Sequence, residues 1–148
     1  MDKKRILREL RNTIAQNIAH LKAELNKLNE AYVEADAKGG DNFEGEKSEH
    51  PELLSQYAAS LKKYSELLKQ LENISANYDE IRSGTFFKSS DDRIFFLHPL
   101  AGGVDFVLDK ERIIGVNTES PFGKQAYGKK TGDTLSMGKN QLEILEIC

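Results

Sequence analysis

The chain has 148 residues, 39% hydrophobic and 30% charged, with 24 acids against 21 bases and a formal net charge of −3. Those figures suit one or two small globular domains and argue against a dedicated, sequence-specific DNA-binding protein, whose affinity rests on clustered bases that neutralise phosphates. No apolar run approaches the roughly 20 residues that cross a bilayer, and Met1-Asp2-Lys3-Lys4-Arg5 leads into a charged amphipathic pattern, so a cytoplasmic protein without membrane contact is expected.

The first third places apolar residues at Leu7, Leu10, Ile14, Ile18, Leu21, Leu25, Leu28 and Tyr32, spaced three or four apart, which is the seam of a long coiled-coil helix. After a glycine-bearing interruption the middle third repeats the pattern with Leu54, Tyr57, Leu61, Tyr64, Leu68, Leu71, Tyr78 and Ile81, broken only at Ser75. In an antiparallel hairpin the numbers of facing residues add to a constant. Tyr32 with Tyr57, Leu28 with Leu61, Leu25 with Tyr64, Leu21 with Leu68, Ile18 with Leu71 and Ile14 with Ser75 all sum to 89, while Leu10 with Tyr78 and Leu7 with Ile81 sum to 88. The fold point then falls between Glu44 and Gly45, and arms of about 35 residues reach on the order of 50 Å. Heptads alone leave open a compact bundle or a parallel oligomer.

Past Ile81 the period changes to short Phe-, Val- and Ile-rich runs: Thr85-Phe86-Phe87, Ile94 to Leu97, Val104 to Leu108, Ile113 to Val116, and Leu142 to Ile147. Turn signals separate them at residues 89–92, 101–103, 109–110 and 138–140, which predicts a small antiparallel sheet. Before the last strand, Ser120 suits a helix N-cap, Pro121 the first helical position and Gly128 a left-handed C-terminal cap, with Phe122, Ala126 and Tyr127 candidates to face the sheet. The expected class is α+β, with a helical hairpin over 1–82, a β-domain over 83–148, and a boundary near Arg82-Ser83-Gly84.

Little of the sequence points to catalysis by the chain itself. Gly123 to Lys129 matches G-x-x-x-x-G-K, but Lys130 stands where a Mg²⁺-binding Ser or Thr is required, and the segment reads as helix then turn. His20, His50 and His98 fall on a helix, near the hairpin tip and at a strand end, and read as structural or solvated. Cys148 has no partner for a disulfide or a zinc site within the chain.

The informative segment is the tip, residues 39–51, where Asp41, Glu44, Glu46 and Glu49 bring four acids into nine residues. Asp41 and Glu44, three apart, would point the same way on a helical turn and share one hard cation such as Mg²⁺ through oxygen ligands. The same Asp-x-x-Glu is also a helix capping pair. Phe43, between them, is a tip anchor or a cap-packing residue.

These residues resemble the Gre transcript-cleavage factors of bacterial RNA polymerase. The likeness is clearest over Val116 to Asp133, where Ser120-Pro121-Phe122-Gly123 and Gly128-Lys129-Lys130-Thr131-Gly132-Asp133 follow the family's Ser-Pro-apolar-Gly and Gly-Lys-x-x-Gly-Asp signature, and in Gly40-Asp41-Asn42-Phe43-Glu44 at the tip. The resemblance implies an FKBP-like C-terminal domain and a monomeric accessory factor, not itself an enzyme, that binds RNA polymerase. It implies further that the hairpin enters the secondary channel, where Asp41 and Glu44 help to hold Mg²⁺ at the polymerase's active site and promote cleavage of the nascent RNA 3′ end. Phe43, Ser120, Pro121 and Gly123 become the candidate partner-binding residues. After Glu44 the family continues Asn-Ala-Glu-Tyr, whereas this chain has Gly45-Glu46-Lys47-Ser48. Two alternatives therefore stand: a regulator that occludes the channel without cleavage, and a coiled-coil scaffold.

Overall fold

The computed structural model describes residues 1–37 and 44–148, with side chains described outside 32–50. Helix α1 runs Lys3–Ala37 and α2 runs Glu44–Leu71. No Gly or Pro interrupts α1, and Asp2 opens it by accepting from the backbone N–H of Arg5 at 3.3 Å. The two helices run antiparallel. The start of α1 meets the end of α2, where an Arg11 guanidinium nitrogen donates to the terminal carbonyl of Leu71 at 3.1 Å and supplies a cap that the helix cannot provide itself. Pro51 lies inside α2.

Two sequence expectations are corrected here. The fold point at 44/45 lies within the first turn of α2, which begins at Glu44 after α1 has ended at Ala37. The second arm stops at Leu71, and Ser75, Tyr78 and Ile81 leave the seam. Asn73, Ser75 and Asn77 offer side chains that compete for backbone hydrogen bonds, and the helix closes with short bonds from Asn73 to Gln70 and from Ile74 to Leu71. Leu7 and Ile81 therefore do not face each other; they are buried in different apolar clusters.

The remaining elements are β1 (Thr85–Ser89), β2 (Ile94–Leu97), β3 (Asp105–Leu108), β4 (Glu111–Val116), α3 (Pro121–Ala126), β5 (Thr134–Met137) and β6 (Asn140–Ile147), with the strands in one six-stranded sheet of order β3-β4-β2-β1-β6-β5. The sheet is mixed, not purely antiparallel: β2 and β4 pair in parallel, Ile94 beside Ile113 through Leu97 beside Val116. The loop over residues 98–104 carries the chain past β4's position to form β3 on the outside, and the tight turn at Asp109-Lys110, both with positive φ, returns it as β4. At the opposite edge, the Gln125 side chain accepts from the Ser136 N–H and donates to its carbonyl at 3.0 Å, covering β5 as another strand would.

The two central strands are apolar on both sides because both faces of the sheet are covered. Phe86 and Phe96 stack across β1 and β2 at 4.6 Å on the hairpin side, and Phe87 with Phe95 at 5.2 Å on the α3 side. The hairpin side unites Ile6, Leu7, Leu10, Ile14, Leu67 and Leu71 with Phe86, Phe96, Ile94 and Ile113 in one buried cluster. Farther out, Leu21, Leu25 and Leu28 on α1 and Leu54, Tyr57 and Leu61 on α2 are only half-buried, because there each helix covers the other and nothing more. The hairpin is thus a two-stranded rod whose base is built into the core of the sheet domain.

Candidate functional site

The sequence places the candidate chemistry at the link between α1 and α2. Asp41 and Phe43 lie outside the described residues; Glu44 is the first residue of α2, with its side chain outside them as well. What is described is the rod that carries them. α1 has 35 residues, about 52 Å at 1.5 Å per residue. Among the described residues no group of three or more His, Cys, Asp or Glu side chains is arranged to hold a metal ion.

The second candidate region is Ser120 to Ala126, and each residue of its Ser-Pro-Phe-Gly run has a folding role. The Ser120 hydroxyl accepts from the Gly123 N–H at 3.0 Å and donates to the Asn117 carbonyl at 2.7 Å, making it the N-cap of α3. Pro121 occupies the first helical turn, where its missing N–H costs nothing. Phe122 enters the second apolar cluster, its ring 5.1 Å from Phe95 and 6.4 Å from Phe87. At Gly123 a Cβ would lie 2.1 Å from the Asn117 carbonyl oxygen, so no larger residue fits without a backbone shift. Ala126 is buried as expected, whereas Tyr127 is 56% exposed: the helix ends before it, and Gly128 turns the chain at φ +82°.

Beside this helix lies an open, largely apolar groove of about 360 Å³, lined chiefly by Phe95, Ile114, Val116, Phe122 and Met137, with Arg93, Asn117 and Ser120 as its polar members. It exists because α3 covers the middle of its sheet face and leaves the β3–β4 end bare. Val107 pairs with Arg112 on that bare end, on the face shared with Ile114, and is 68% exposed. Arg93 forms one wall: its guanidinium lies 5.2 Å over the Phe95 ring and is fixed by Asp91 at 2.6 Å. Burial pushes the Asp91 carboxyl up, but hydrogen bonds from Arg93 and Ser89 outweigh it and hold the group below its ordinary range. On the flanking strands Arg112 grips Asp105 with two hydrogen bonds, at 3.0 and 2.5 Å, which hold the Asp105 carboxyl low and raise the guanidinium further.

Of the sequence-picked residues, Ser120 lines the groove, Pro121 and Gly123 shape the helix beside it, and Phe43 stands in the hairpin link. Ile114, Met137 and Arg93 were missed as groove residues. The available signal was the adjacent pair Ile113-Ile114, one residue for each face of a sheet whose second face is only partly covered. His20 is exposed, as expected. His98 is buried against Phe96, with Nδ1 accepting from the Leu100 N–H at 3.1 Å, and burial pushes its pKa down. The Cys148 thiol is buried, and desolvation pushes its pKa up, which disfavours the thiolate. No helix among the described residues is long and apolar enough to cross a membrane.

No family model matches the chain, and no curated protein matches it significantly. Among solved structures it is similar to GreA factor homolog 1 (Gfh1) of Thermus thermophilus, at 17% identity over 93% of this chain and 94% of that one, with a TM-score of 0.39. It is similar also to the Gfh1 of Thermus aquaticus, at 13% identity over 92% of each chain and the same TM-score.

Proposed function

We propose that the protein is an accessory factor of bacterial RNA polymerase that docks through its sheet domain and extends the helical hairpin into the enzyme's secondary channel. The observation that carries this reading is the rod itself. A pore the width of a helical pair admits a thin, stiff probe, and a hairpin with its base cemented in a folded domain supplies one. The apolar groove beside α3 supplies a docking face, with Ile114, Phe122 and Ser120 in contact with the partner. At the far end Asp41 and Glu44 would offer carboxylate oxygens to a Mg²⁺ completed by ligands from the polymerase, since two carboxylates alone make a weak site. Held there, Mg²⁺ would supply Lewis-acid activation of water against a phosphodiester, the chemistry that cleavage of backtracked RNA needs. The chain performs no reaction alone.

The test is transcript cleavage on stalled elongation complexes, with the wild type and with Asp41→Asn and Glu44→Gln. Asn caps a helix about as well as Asp but lacks its charge for a hard cation, so both variants should keep wild-type thermal stability and polymerase binding while losing cleavage. Normal cleavage by both variants defeats the metal role. A second reading is favoured by Gly45-Glu46-Lys47-Ser48, where the tip departs from the Gre pattern: a factor that fills the channel without promoting cleavage. It becomes the better account when the wild type competes for the channel and releases no cleaved RNA.

A further inference from the structure

We draw no further inference here: the strongest candidate, the apolar groove between the β3–β4 end of the sheet and α3, belongs to the docking site already described, and nothing in the structure shows what covers it.

Discussion

If the base of the hairpin is part of the sheet domain's core, damage at the base must be felt in the sheet, and damage farther along the rod must not. Leu10 is fully buried in the cluster that joins α1 and α2 to Phe86, Phe96 and Ile113. Leu25, fifteen residues on, is half-buried between the helices alone. Leu10→Ala removes buried methyl groups and leaves a cavity in that cluster, costing about 2–5 kcal/mol. Leu25→Ala loses roughly half of a leucine's transfer energy, about 1 kcal/mol, with solvent free to fill the gap. At about 2–4 °C per kcal/mol for a chain of this size, the first should lower Tm by roughly 4–20 °C and the second by only a few degrees. Hydrogen exchange followed by mass spectrometry separates the regions: Leu10→Ala should speed exchange in β1 and β2 as well as in α1, whereas Leu25→Ala should act on the helices only. Unchanged protection of β1 and β2 in Leu10→Ala would mean that the hairpin and sheet are independent units, and the anchored rod would be refuted.

Three further outcomes follow from single residues. Gly123→Ala drives a methyl group against the Asn117 carbonyl, and the α3 cap must shift, so a loss of about 2–3 kcal/mol is expected in urea denaturation; a loss under about 0.5 kcal/mol would show the close approach to be relaxed in solution. His98 is held neutral by burial, so below the ordinary histidine pKa of about 6.5 the unfolded chain takes up a proton that the folded chain resists. Stability should therefore fall as pH drops from 7.5 to 5.5, with a smaller fall in His98→Asn, and equal slopes in the two proteins would contradict this assignment. Ile114→Gln places an amide on the groove while leaving the inner core intact, and should weaken polymerase binding by about tenfold, equivalent to roughly 1.4 kcal/mol, with Tm lowered by only a few degrees; wild-type affinity would move the docking face elsewhere.

The hairpin was legible because the three-and-four spacing persists over many turns, but the pairs that sum to 89 do not set its register: α2 already starts at Glu44, and Arg11 rather than a residue near 18 reaches the Leu71 carbonyl. Its far boundary was not legible. Ile81 extended the stripe by coincidence, since it is apolar for the opposite face of the sheet, where it is buried and tied to the turn after α3 by hydrogen bonds with Lys129 and Gly128. β5 escaped notice because it has four residues between Gly132 and Gly138, of which only Leu135 is fully buried. The parallel pairing of β2 and β4 was illegible in principle: an apolar run records which faces are covered, not the direction of the neighbour. The groove is harder still to read, because it arises where α3 stops covering the sheet, and helix coverage is a property of the packed domain.

The Ser120-Pro121-Phe122-Gly123 run shows why a family-like signature and a binding surface have to be argued separately. All four residues are accounted for by α3 and its seat on the sheet: one caps, one starts the turn, one fills the core, and one clears a carbonyl. Their presence therefore reports how this domain folds, and any protein that needs this short helix in this place would be driven toward the same residues. Apolar surface beyond the needs of α3 lies elsewhere. Val107 is 68% exposed, and Ile114, half-buried against the second apolar cluster, turns its remaining surface to the part of the sheet face that α3 leaves open. Those exposed portions are what the proposed docking of the sheet domain would cover. In the proposed function, docking draws on Ile114 as well as on Phe122 and Ser120, whereas the chemistry rests on Asp41 and Glu44, which no requirement of the sheet domain explains.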